Sequence, residues 1–130
     1  INSMNVEQET SAANKALWLE AIEYADELLK DNLQILANKN ISAPVVAKEL
    51  LNDKMAIIAD CELAWVNEKI VILRVDQAET KNLWQQAAWQ TYVLDANCEY
   101  FVSVPETLEN HISTKQSVPW LDVLLKAFPT

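Results

Sequence analysis

Apolar residues recur every three or four positions along the first third of the chain. Trp18, Ile22, Ala25, Leu29, Leu33 and Leu36 make one stripe, and Leu17, Ala21, Tyr24, Leu28 and Ile35 a neighbouring one. Glu20, Glu23, Glu27, Lys30, Asp31 and Gln34 take the other side. This period predicts one long amphipathic helix from Thr10 or Ser11, either a suitable N-cap, to about Ala37. Asn38-Lys39-Asn40 reads as its stop, because asparagine tolerates the left-handed conformation that glycine usually supplies. The wide apolar face suits packing on a sheet better than a coiled-coil seam. Residues 1–10 are polar and are expected to be a disordered or tag-derived leader, which leaves 11–130 as a single domain.

Beyond Pro44 the period changes to that of strands. Val45 to Leu51 reads as a first strand, and Asn52-Asp53 as a two-residue hairpin turn tolerant of positive φ. From Met55 to Trp65 the residues Ile57, Ala59, Cys61, Leu63 and Trp65 share one parity, and Ile58, Asp60, Glu62 and Ala64 the other; in a strand these are opposite faces. After a turn at Val66-Asn67-Glu68, the run Ile70-Val71-Ile72-Leu73 is apolar on both faces and is placed centrally. Asp76 and Glu79 have capping-box spacing, which predicts a helix from Asp76 to about Trp89. Thr91 to Leu94 returns as a strand, and a strand–helix–strand crossover makes it parallel to Ile70–Leu73. Glu99 to Val104 is a short further strand. Pro105 suits the start of a helix through about His111, and Ser117-Val118-Pro119 starts a last helix with Trp120, Leu121, Leu124, Leu125 and Phe128 inward, ended by Pro129. The fold class is thus α/β, a long N-terminal helix packed on a mixed β-β-β-α-β sheet, with C-terminal helices.

Composition narrows the chemistry. The 130 residues carry 19 acidic against 10 basic side chains, a formal charge of −9, so the broad basic footprint of a nucleic-acid binder is missing. Glycine is absent, which excludes Gly-rich phosphate loops. No apolar run reaches the roughly 20 residues of a membrane helix, and no secretion signal opens the chain, so a cytoplasmic location is expected. Cys61 and Cys98 lack metal or disulfide spacing, and Cys61 reads as a small core residue. His111, the single histidine, stands in a polar stretch and reads as a surface residue. Trp18, Trp84 and Trp120 fall on apolar helix faces and read as core; Trp65 and Trp89, at element ends, are expected to be partly exposed and to offer an interaction surface.

The order helix then β-β-β-α-β resembles the core of the PD-(D/E)XK nucleases, in particular the very-short-patch-repair-like branch. In that family an acidic residue on the second strand and an acidic residue with a Lys on the third hold a divalent metal, Mg²⁺ above all, beside the attacking water. Asp60 stands where the first ligand belongs, with Glu62 and Asp76 as further candidates. Arg74 stands where the second acidic ligand would fall, and no Lys follows in register. The resemblance therefore implies a degenerate site; read without it, Asp60 and Glu62 lie on a solvated strand face with Arg74 opposite as an ion-pair partner across neighbouring strands. A narrower resemblance covers Pro44 to Leu94: PVVAKELL, IIADCELAW, KIVIL and DQAETKNLWQQAAW look like the C-terminal accessory domain of certain bacterial DEAD/DEAH-box helicases, with Ala88 where a glycine is expected before the helix-ending Trp89.

Together these readings imply a non-catalytic accessory or protein-interaction domain of a bacterial nucleic-acid-processing protein such as a DEAD/DEAH-box helicase, contacting nucleic acid weakly or indirectly. Two rivals stand beside it. One is a metal-dependent endonuclease using Mg²⁺ held by Asp60 and Glu62; the other is a free-standing acidic module that binds a protein through the Trp65 and Trp89 region.

Overall fold

The computed structural model describes residues 2–39, 41–105 and 119–128, with side chains from Ala12 onward. It is a mixed α/β structure with four α-helices among those residues: α1 (Asn2–Tyr24), α2 (Lys30–Ala37), α3 (Lys81–Gln86) and α4 (Trp120–Ala127). The strands are β1 (Val45–Val46), β2 (Glu49–Leu51), β3 (Ile57–Asp60), β4 (Leu63–Trp65), β5 (Ile70–Leu73), β6 (Gln90–Leu94) and β7 (Phe101–Ser103). Five of them form one sheet in the order β1-β4-β5-β6-β7, and β2 and β3 form a separate two-stranded arm. Among the described residues only the β5–β6 pair is parallel; the other pairs are antiparallel.

The central place expected for Ile70–Leu73 is borne out. Ile70 and Ile72 face one apolar layer with α1, α2 and α4, while Val71 and Leu73 face a second layer containing Trp84 and Trp89. All four residues are buried, and each such aliphatic side chain contributes roughly 1.5–3 kcal/mol of transfer free energy. The first layer holds Trp18, Leu29, Leu33, Leu36, Tyr92, Trp120 and Leu124; the second is smaller and holds Ala59, Cys61, Ala64 and Val93.

Several expectations are corrected. The N-terminal helix is not continuous: it begins at Asn2, within the segment read as a leader, and breaks after Tyr24 into a 3-10 turn, Glu27–Leu29, that leads into α2. Asp26 causes the break, since its extended backbone (φ −57°, ψ 141°) leaves the helix while its carboxylate accepts the Leu28 N–H at 2.9 Å. The apolar face is also narrower than its two stripes. Trp18, Ala21, Ala25, Leu29, Leu33 and Leu36 are buried, whereas Leu17, Tyr24, Leu28 and Ile35 are exposed. α2 stops where expected, but Asn38 does so in the right-handed region.

The two long strands of the first hairpin are each interrupted. Ala47 takes φ 56° between β1 and β2, and Cys61 and Glu62 separate β3 from β4. The paired interruptions stay connected, through Ala47 N–H to Glu62 C=O (3.1 Å) and Cys61 N–H to Lys48 C=O (3.2 Å). Such an irregularity reverses the faces. Ala59 and Cys61 pack in the second layer, but Leu63 and Trp65 pack in the first, so the single parity read from Ile57 to Trp65 does not hold; Ile57 itself is exposed. The hairpin turn is longer than two residues. Met55 N–H closes on Asn52 C=O (3.0 Å), Asn52 N–H on Ala56 C=O (2.9 Å), and the positive φ of 64° falls on Met55.

The crossover helix is shorter than expected and differently capped. Arg74, not Asp76, precedes the first turn: its N–H donates to Gln77 Oε1 at 3.0 Å, ahead of a 3-10 segment, Val75–Thr80, and then α3. α3 ends at Gln86, and Ala88 takes φ 70°, with Trp89 N–H donating to Trp84 C=O (3.1 Å). The position that invited a glycine is therefore left-handed, and alanine occupies it. Pro119 is the N-cap of α4, in which Trp120 and Leu124 point inward as expected. The expected helix from Pro105 through His111 lies outside the described residues.

Candidate functional site

Glu62 and Arg74 lie at one end of neighbouring antiparallel strands, because Leu63 pairs with Ile72 and the Glu62 N–H donates to Ile72 C=O at 3.0 Å. The break between α1 and α2 brings Asp26 to the same end. Freed from the helix, the Asp26 N–H donates to Glu62 Oε1 at 3.2 Å. Its carboxylate is engaged on both oxygens, Oδ1 by the Leu28 N–H and Oδ2 by Arg74 Nη1. Arg74 Nε lies 3.9 Å from Asp76 Oδ1. Asp26 and Asp76 thus flank one guanidinium, and Glu62 is tied to the Asp26 backbone beside it.

Their electrostatics differ. The capping N–H of Leu28, and after it Arg74, hold the Asp26 carboxyl below its usual range. Burial pushes Glu62 up, against the opposing pull of the Asp26 N–H and the Arg74 charge. The ion pair with Asp26 raises Arg74 further, so it remains a cation at any pH at which the chain is folded. The guanidinium donates directly to Asp26 Oδ2, so that carboxylate is already matched by a fixed positive charge.

The predicted ligands Asp60 and Glu62 do not converge. Asp60 is exposed and accepts from Gln77 Nε2 at 3.3 Å, while half-buried Glu62 turns to Asp26. Cys61 between them is buried, and its thiol is pushed up to about 12 by desolvation. Asp76 is at the exposed rim and is not the helix cap that its spacing suggested. The direct partner of Arg74 is Asp26 rather than Asp60 or Glu62. Among the described residues no group of three or more His, Cys, Asp or Glu side chains is arranged to hold a metal ion.

Asp26 and Gln77 were not found from sequence. Asp26 is an N-cap residue type inside a helical stripe, but Asp31 and Asn32 have the same character and remain helical. Pattern alone gives no reason to break the helix at one and not at the others.

The expectation that Trp65 and Trp89 are partly exposed is overturned, since they retain only 1% and 6% of their accessible surface. Trp65 Nε1 donates to Ser42 C=O at 2.8 Å and its ring meets Phe128 edge-on; Trp18 Nε1 donates to Ile41 C=O, so two indoles tie down the linker before β1. Trp89 meets Trp84 edge-on, and Lys69 Nζ lies 4.9 Å from its ring centroid. Exposed apolar surface is found elsewhere, on the β2–β3 arm at Leu51, Met55 and Ile57 and beside β1 at Leu17, Tyr24 and Val45.

No family model, curated protein or solved structure matches the chain. No helix among the described residues is long and apolar enough to cross a membrane.

Proposed function

We propose that this chain is a catalytically degenerate domain of the restriction-endonuclease-like fold. In this reading it serves as a non-catalytic, cytoplasmic interaction module of a bacterial nucleic-acid-processing protein, such as a DEAD/DEAH-box helicase. The observation that carries the proposal is the Arg74 guanidinium held by Asp26 at the end of the central strands. The element order supports it: a helical segment, three antiparallel strands (β1, β4 and β5 of one sheet), α3, and β6 parallel to β5. In a working nuclease of this plan the second and third strands present convergent oxygen ligands. Here Asp60 and Glu62 bond to different elements, and a cation takes the place of the next ligand. With a formal charge of −9, the domain repels phosphate backbone, so nucleic acid is contacted through a parent or partner protein.

The test is a cleavage assay on single- and double-stranded DNA with Mg²⁺ and with Mn²⁺. No cleavage above a metal-free control is expected. Cleavage lost in Asp60→Ala would replace this proposal with the metal-dependent endonuclease reading.

A further inference from the structure

A groove of about 510 Å³ runs between the C-terminal half of α1 and β1, lined by Leu17, Glu20, Ala21, Tyr24, Val45 and Val46 among others. β1 ends the five-stranded sheet, so among the described residues no strand lies on its other side. The hydrogen-bond register determines which peptide groups face that side. Ala47 N–H donates to Glu62 C=O, and Val45 pairs with Ala64 two residues earlier. In an antiparallel ladder the hydrogen-bonded positions alternate, so the Val46 N–H and C=O point away from β4, toward the open edge. An unpaired strand edge next to exposed apolar side chains is a template for another extended chain.

The groove also has a charge preference. The Glu20 carboxylate has no ion-pair partner among the described residues, and the chain as a whole carries −9. A second copy of this chain would bring the same negative charge to the contact. A helix would fill apolar volume but could not satisfy the Val46 peptide. The complementary occupant is extended, with an aliphatic side chain and a cation both on the face it turns to α1.

We propose that the groove binds an extended segment of a partner protein. The segment adds to the β1 edge through the Val46 peptide, packs an aliphatic side chain against Leu17 and Tyr24, and sets a Lys or Arg opposite Glu20. This deepens the interaction-module reading and rests on it, by naming the surface and the chemistry of what it takes.

The experiment is selection of a displayed random octapeptide library on the intact chain, followed by titration of the enriched peptides into ¹⁵N-labelled protein. The expected consensus sets an aliphatic residue and a Lys or Arg two positions apart, and the expected shift changes fall on Leu17–Tyr24 and Val45–Ala47. Val46→Pro removes one edge donor, and a hydrogen bond of this kind corresponds to a loss of up to about tenfold in affinity. Glu20→Lys lies on the helix surface, preserves the fold if Val46→Pro does not, and is expected to weaken binding several-fold. Failure to enrich any peptide, an acidic or helical consensus, or concentration-dependent self-association of the chain would overturn the proposal. Enriched peptides that map to the β2–β3 arm would overturn the groove and leave the interaction-module reading standing. DNA cleavage would remove that reading without touching the groove.

Discussion

Asp26 and Arg74, 48 positions apart in the chain, form an ion pair that fastens the break between α1 and α2 to the end of β5. Both side chains are about three-quarters to two-thirds shielded, with 25% and 34% exposure. The same aspartate caps the turn into α2, so one side chain supports both the helix layer and the sheet end. Asp26→Ala should cost about 1–2 kcal/mol, the sum of a lost cap and a weakened pair. A double-mutant cycle with Arg74→Ala separates the two terms. Coupling of roughly 0.5–1 kcal/mol is expected, and strictly additive losses in urea denaturation would show that the pair adds nothing to the cap.

Glu62 gives this corner a pH dependence of its own. Burial makes the folded chain hold the Glu62 proton more tightly than the unfolded chain, whose value is about 4.3. Stability contributed by Glu62 is therefore full below that value and declines as pH rises through its higher folded value. Asp26 has the opposite sign: its contribution is full above about 3.9 and is lost as pH falls through its lower folded value. Glu62→Gln keeps an oxygen to accept the Asp26 N–H and removes the decline, so the variant should be at least as stable as wild type at neutral pH. Denaturation midpoints that change with pH identically in both proteins would exclude this role.

Ala88 is the clearest backbone liability. A chain without glycine must place other residues in the left-handed region, and it does so at Ala47, Met55, Lys69, Ala88 and Cys98. Ala88 closes α3 and its small side chain is exposed, so replacing it disturbs little packing. Ala88→Gly should stabilise by about 0.5–1 kcal/mol. An unchanged or lowered thermal midpoint would place the compensation elsewhere.

Both cysteines are buried, and desolvation raises both thiols, Cys61 to about 12. Neither should react with a thiol-specific disulfide reagent at neutral pH until the chain unfolds. Rapid labelling of one thiol in native buffer would mean that its layer opens locally.

Much of the architecture was legible because it follows from burial on both sides of one strand. Ile70–Leu73 is apolar without alternation, and it lies at the centre of the sheet with its parallel partner one helix later. What was not legible depends on single backbone irregularities. The left-handed turn at Ala47 and the bend at Cys61-Glu62 exchange the faces of a strand whose residue pattern alternates without interruption. They carry Glu62 to the helix layer and leave Asp60 with Gln77. Asp26 was hidden for a related reason, since the stripe Trp18, Ala21, Ala25, Leu29, Leu33, Leu36 keeps its period straight across the break. The end of a strand or helix is not thereby exposed: the linker before β1 and the end of α4 cover Trp65, and Trp84 and Lys69 cover Trp89.

Arg74 supplies the positive charge at this end of the sheet and holds Asp26 directly. Calorimetric titration of Mg²⁺ and Mn²⁺ into the intact chain, in parallel with Asp60→Ala and Glu62→Ala, tests the degenerate reading most directly. The expected result is no saturable binding by wild type and no difference between wild type and the two variants. Saturable binding by wild type that either substitution abolishes would contradict the degenerate reading and make these carboxylates metal ligands.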